Sequence, residues 1–135
     1  YPLRFAKRAQ LWLMIYQGRA LANPGKLRPL EDGELLGPIA DSAIPNALRA
    51  CEVLAYDREL TEQIDSQIEL VPHGTEVKEI RMATVAAMQK LLERINLKRL
   101  GPGKPPTSML ALDNALWRLG RNLAKPAHLA RTTDY

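Results

Sequence analysis

The sequence predicts an all-α protein, and three observations carry that reading. Apolar residues recur at helical spacing in several stretches that proline and glycine separate. No run alternates polar and apolar residues beside hairpin glycines, and the short apolar run at residues 68–71 is too brief to found a sheet. No segment repeats another, so an irregular helical array is expected rather than a solenoid.

Each element follows from its own residues. Phe5, Ala9, Trp12, Leu13 and Tyr16 keep a helical period, which predicts a first helix over residues 3–17 ending at Gly18. Residues 19–29 contain Asn23-Pro24-Gly25 and Pro29, the chemistry of an exposed loop. Asp32 is expected to cap a short helix through Glu34, Leu35, Leu36 and Ile39, bent by Gly37-Pro38. Asp41 restarts the chain as an N-cap, and Pro45 fits a first helical turn, where its missing N–H has no helical partner. That helix is expected to run through Leu48, Cys51 and Val53.

Asp57 is the expected N-cap of a helix carrying Leu60 and Ile64 and stopping near Ser66. Beyond the loop at 71–74, Thr75 is expected to cap a long helix with one stripe of Val77, Ile80, Thr84, Ala87, Met88, Leu91 and Ile95. Residues 100–106, rich in glycine and proline, read as a loop. Thr107 or Ser108 then begins a last helix through Leu112, Ala115, Leu116 and Leu119 that Gly120 terminates. Trp12 and Trp117, with apolar neighbours at helical spacing, are expected in the core.

The chain has 135 residues, 46% of them hydrophobic and 25% charged, enough for one helical domain over 1–135 with its own core. A disordered or collagenous chain is excluded. A single cysteine, Cys51, rules out an intrachain disulfide and suits a reducing, cytoplasmic setting. Charge interrupts every apolar stretch well before the roughly 18 residues a membrane helix needs, so no membrane partner is expected. Tyr1 in place of a methionine suggests a fragment or a processed chain. The net charge of +4 divides into +3 over residues 1–50, −4 over 51–95 and +5 over 96–135. Two basic ends that met in space would attract a phosphate or a nucleic-acid backbone; kept apart, they are solvated helix faces.

The chemistry-bearing residues are few. His73 and His128 stand far apart and Cys51 has no partner at ligand spacing, so no metal is expected. Gly101-Pro102-Gly103-Lys104 lacks the spacing of a phosphate loop, and no cofactor is implied. His73 reads as a loop residue. Two carboxylates occupy unusual settings: Asp41 at a helix start, and Asp113 inside an apolar helix, where aspartate is a poor helix former and its burial is costly unless paired.

Several segments stand in the order of one family: Lys7-Arg8-Ala9-Gln10, Ala40-Asp41-Ser42-Ala43-Ile44-Pro45-Asn46, Val53-Leu54-Ala55-Tyr56, Glu79-Ile80-Arg81, Leu112-Asp113-Asn114-Ala115-Leu116-Trp117 and Arg131-Thr132-Thr133-Asp134-Tyr135. The chain resembles the C-terminal half of the queuosine salvage protein family, the queuosine 5′-phosphate N-glycosylases. The resemblance implies a helical fold similar to helix-hairpin-helix DNA glycosylases. It also implies hydrolysis of the N-glycosidic bond of a nucleotide, queuosine 5′-phosphate, releasing queuine for transfer-RNA modification. Asp41 matches the aspartate of the family's Ala-Asp-Tyr-Arg-Val-Pro-Gln motif and would be catalytic. Asp113 would support it from the last helix. Lys7, Ser42 and Asn46 would hold the substrate, with Lys7 near the carboxylate or the phosphate.

The chain also departs from the family pattern. Ser42 and Ala43 replace a tyrosine and an arginine, Arg118 replaces an aspartate after the tryptophan, and an aspartate of the family's first helix falls in the apolar 11–15 stretch. The family's N-terminal half is absent, so a missing half or a partner chain is expected to complete the pocket. These substitutions, with the basic ends, motivate the alternative of a catalytically inactive helical module for nucleic-acid binding or scaffolding. Arg81 is expected to form an internal ion pair rather than a phosphate contact.

Overall fold

A computed structural model describes residues 6–132, and within them the chain is all-helical with no strand. Five helices follow in order: α1 (Lys7–Ala22), α2 (Ala43–Ala50), α3 (Arg58–Asp65), α4 (Thr75–Leu100) and α5 (Met109–Arg121), with one turn of 3₁₀ helix at Gly33–Leu35.

The frame is built around α2, a short helix whose residues from Ala43 to Leu48 are all buried. A helix buried over six consecutive residues must be covered on nearly every side, and its polar Asn46 and Arg49 find partners within the protein. Here α5 covers it closely and α4 backs it, bringing Ile44, Ala47 and Leu48 against Met88, Met109, Leu112 and Leu116. The approach of α5 depends on Gly120, because a Cβ at that position would overlap the Ala43 carbonyl oxygen. A second apolar cluster of Ile64, Leu70, Val77 and Ile80 joins α3 to the start of α4. The Arg49 guanidinium bonds Asp65 at 2.8 Å, ties α2 to α3 and holds the Asp65 carboxyl below its ordinary range.

The first helix is attached differently. Gln10, Met14 and Gln17 lie at i, i+4 and i+7 on its inner face. Gly37 N donates to Gln10 Oε1 at 2.8 Å and Leu30 N to Gln17 Oε1 at 2.8 Å. Met14 alone enters the core cluster. The phase of α1 is therefore set by two glutamines rather than by its apolar residues. Trp12 consequently stands 68% exposed, stacked on Tyr16 with ring centroids 6.3 Å apart, instead of in the core. Trp117 likewise lies on the outer face of α5, with Arg121 5.0 Å above its ring. Phe5 lies outside the described residues.

Boundaries differ from expectation where local chemistry was permissive. Helix α1 continues through Gly18 to Ala22, since an interior glycine costs only about 1 kcal/mol and the loop begins at Asn23. The helix expected near Asp32 shrinks to Gly33–Leu35 without a side-chain cap. Helix α2 stops at Ala50, short of Cys51 and Val53. Thr75 is the first residue of α4 rather than its cap, and α5 passes Gly120 by one residue. Asp57 caps α3 by accepting from Leu60 N at 2.8 Å, as the sequence predicts, and of Thr107 and Ser108 it is Ser108 that opens α5, accepting from Ala111 N at 3.2 Å. On the stripe of α4, Val77, Ile80, Thr84 and Met88 are buried, and Ala87, Leu91 and Ile95 pack at its edge.

Candidate active site

The strap between the 3₁₀ turn and α2 positions the first carboxylate. Its backbone N–H groups are taken up by side chains from two helices: Gly37 N by Gln10 of α1, and Ile39 N by Asp113 Oδ2 of α5 at 2.9 Å. The strap ends at Asp41, whose Oδ1 accepts from Ala43 N at 3.0 Å and Ile44 N at 3.2 Å. Asp41 thus fills the capping role its position suggests while its second oxygen remains outside those bonds. Ala40, fully buried immediately before it, has φ 51, and Ala6, immediately before Lys7, has φ 46. Both candidate residues therefore follow an alanine in the left-handed region, which costs of order 1 kcal/mol and persists only where the surroundings impose it.

The charge of Asp41 acts on both Lys7 and Asp113, and those two act on each other. Asp113, 6% exposed, is pushed up from 3.8 to about 6, first by burial and further by the charge of Asp41, against the Ile39 hydrogen bond and the Lys7 ammonium. Burial lowers the Lys7 ammonium from its ordinary value; Asp41 and Asp113 oppose that, and Arg81 and Arg8 add to it. The chain brings these three residues from α1, the strap and α5 to one place.

Two further groups join them that the sequence did not single out for the site. Arg81 is buried in the second turn of α4, 5% exposed, and its charge reaches both Lys7 and His128. His128 is delivered by the segment after α5, which is fastened at every second residue. Lys125 O accepts from Asn46 Nδ2 at 3.0 Å, Ala127 O from Gln67 Nε2 at 2.9 Å, Leu129 O from Leu70 N at 2.8 Å, and Arg131 N donates to Glu69 Oε1 at 3.3 Å. His128, between two of these anchors, turns inward and is buried. Its imidazole is lowered to about 4, first by burial and also by Arg81, against the pull of Asp41. The sequence signal for it was one ionisable residue in the apolar run at 126–130.

The remaining expected residues are placed less directly. Ser42 is half-buried between Asp41 and the first residue of α2, and its hydroxyl makes no capping bond. Asn46 is buried, and its amide N–H is used on the Lys125 carbonyl. His73 lies in the loop expected for it, exposed and with φ 61. Cys51 is exposed. Among the described residues, no three His, Cys, Asp or Glu side chains are grouped to hold a metal ion, and no helix is long and apolar enough to cross a membrane.

The family model described as queuosine salvage protein matches residues 2–134. The chain belongs to the queuosine salvage protein family. It is 32% identical over 139 residues to the queuosine 5′-phosphate N-glycosylase/hydrolase of Dictyostelium discoideum, a match that covers 97% of this chain and 40% of that relative. This family member therefore spans well under half the length of the curated relative, and Lys7, Asp41, Arg81, Asp113 and His128 fall within the matched range 2–134.

Proposed function

We propose that this chain carries the hydrolytic centre of a queuosine 5′-phosphate N-glycosylase, with Asp41 catalytic. The observation that supports this is the meeting of Lys7, Asp41 and Asp113 at the start of a buried helix. Breaking an N-glycosidic bond builds positive charge on the ribose, and a carboxylate held beside the sugar stabilises that charge and orients water for attack. Asp41 suits the role because one oxygen is fixed by two backbone N–H groups and the carboxylate cannot swing away. Lys7 gives the site a cation for the 5′-phosphate. Asp113 supports Asp41 by anchoring the strap at Ile39.

Ser42, adjoining Asp41, faces the sugar in this reading, and Asn46 acts through its hold on the segment that carries His128. The product queuine would feed transfer-RNA modification. The rest of the pocket is supplied by the part of the longer family members that this chain does not include, or by a partner chain. Queuine release from queuosine 5′-phosphate, followed by chromatography and mass spectrometry, tests the proposal. It is measured on this chain and on a chimera in which the chain replaces the matched part of the Dictyostelium relative. Release by either supports the reading. Failure of both, with salt-sensitive RNA binding instead, establishes the non-catalytic nucleic-acid module.

A further inference from the structure

The long helix α4 carries an exposed row beside its buried face. Glu76, Glu79, Ala83, Ala86, Lys90 and Arg94 recur every three or four positions, so they share one side of the helix, and Lys98 continues the row. All seven are exposed, and none belongs to the buried set of Val77, Ile80, Arg81, Thr84 and Met88. The middle of the row lines an open groove of about 460 Å³, together with Ala87 and, from the connection between α2 and α3, Val53.

The charges along this row are sorted. Glu76 and Glu79 stand at one end, Lys90, Arg94 and Lys98 at the other, and only alanines lie between. The helix macrodipole accounts for Glu76 in the first turn and Lys98 in the last, but its influence fades within a turn, and Glu79, Lys90 and Arg94 lie beyond it. Within the chain the sorting is unfavourable, because Lys90, Arg94 and Lys98 follow one another at i+4, where like charges repel. Among the described residues, none of these five side chains is in an ion pair.

We propose that a second copy of this chain covers the row, its α4 running antiparallel across a two-fold axis beside Ala86 and Ala87. Reversal of the second helix sets the acidic end of each copy against the basic end of the other. Glu79 and Arg94 are equally far from that axis, roughly 11 Å along the helix at 1.5 Å per residue, so they meet across it. Glu76 falls opposite Lys98 to within one residue. The contact is isologous, so each of these pairs is made twice. The alanines at the centre let the two helix axes approach to about 8 Å, the short end of the usual range. A nucleic-acid backbone would suit Lys90, Arg94 and Lys98 but would be repelled by Glu76 and Glu79. Only a partner with the same order of charge, reversed, suits both ends. One pair of helices buries an area near the lower end of the range for specific interfaces, about 1,200 Å², so the copies should exchange at micromolar concentration. None of Lys7, Asp41 and Asp113 lies on α4, so this interface is independent of how the candidate site is read.

Sedimentation equilibrium of this chain, from low micromolar to several hundred micromolar and at low and high salt, tests the dimer. The average mass should rise to twice that of the chain, and high salt should weaken the association at least threefold. Ala86→Arg places a bulky like charge at the axis in both copies and should keep the chain monomeric with a nearly unchanged melting temperature. Glu79→Arg and Arg94→Glu should each weaken self-association at least tenfold. An equimolar mixture of those two variants should restore it, because each offers the other the charge it lacks. A chain that stays monomeric throughout, association that Ala86→Arg leaves intact, or single variants that mixing does not rescue overturns the dimer. RNA binding that Arg94→Glu abolishes, in a chain that does not self-associate, overturns it too and makes the row a nucleic-acid surface. So does a chimera with the Dictyostelium relative that stays monomeric and melts lower with Ala86→Arg, since polypeptide of the longer protein then covers the row.

Discussion

Helices α1 and α2 solve the same problem in opposite ways. Helix α2 is buried along most of its length and is held by packing so close that α5 needs a glycine to reach it. Helix α1 carries more apolar residues but turns Leu11, Trp12 and Ile15 outward and is held by Gln10 and Gln17. One helix is fixed by shape and the other by specific hydrogen bonds. The candidate site draws on both, with Asp41 on the packed frame and Lys7 on the hydrogen-bonded helix. Its precision should therefore depend on two kinds of interaction that fail independently.

The largest effect is expected where packing is closest. Gly120→Ala forces a methyl group into the Ala43 carbonyl, and separation of α2 from α5 should cost on the order of 3 kcal/mol or more in denaturant unfolding. An unchanged midpoint would show that the contact of the two helices is loose.

The next effect concerns the two buried titratable groups and has opposite signs for them. Between its ordinary 3.8 and about 6, folded Asp113 keeps a proton that the unfolded chain has lost, so this group lowers stability as pH rises through that window. Between 6.5 and about 4, folded His128 refuses a proton that the unfolded chain accepts, so it lowers stability as pH falls. The two slopes oppose each other in the parent chain. Relative to that parent, Asp113→Asn should make stability rise more steeply with pH and His128→Gln should make it fall, each by on the order of 2 kcal/mol between pH 4 and 6. Parallel curves for all three proteins would mean that neither group is held as described.

Loss of the Gln17 anchor is smaller. Gln17→Ala removes the acceptor of Leu30 N and should cost about 1–2 kcal/mol, with faster amide exchange in residues 30–37 and unchanged exchange in α2. Smallest is Trp12→Ser, which should change stability by no more than about 0.5 kcal/mol because the ring is on the surface. A loss of several kcal/mol would place Trp12 in a core after all.

The same contrast explains what could be read from the sequence. The all-α class, the Asp57 cap, the start of α5 at Thr107 or Ser108 and the stripe of α4 were legible, because each depends on residues within a few positions of one another. The orientation of α1 was not, because it is decided by glutamines bonding backbone atoms 13 and 27 residues away. Periodicity alone put Trp12 inward for that reason. Asp113 could be noticed as a carboxylate in an apolar helix, but its partner, Ile39 N, is 74 residues distant. The inward face of His128 was invisible, since it follows from anchors on α2, on the segment after α3 and on the chain before α4.

Asparagine is as good an N-cap as aspartate, so Asp41→Asn removes the charge while leaving an oxygen to accept from Ala43 N and Ile44 N. The rate of queuine release from queuosine 5′-phosphate by this variant, beside its melting temperature, tests most directly whether Asp41 is catalytic. A fall of about a hundredfold or more at an unchanged melting temperature is the predicted result. Undiminished release would contradict it and leave Asp41 as the cap of α2 alone.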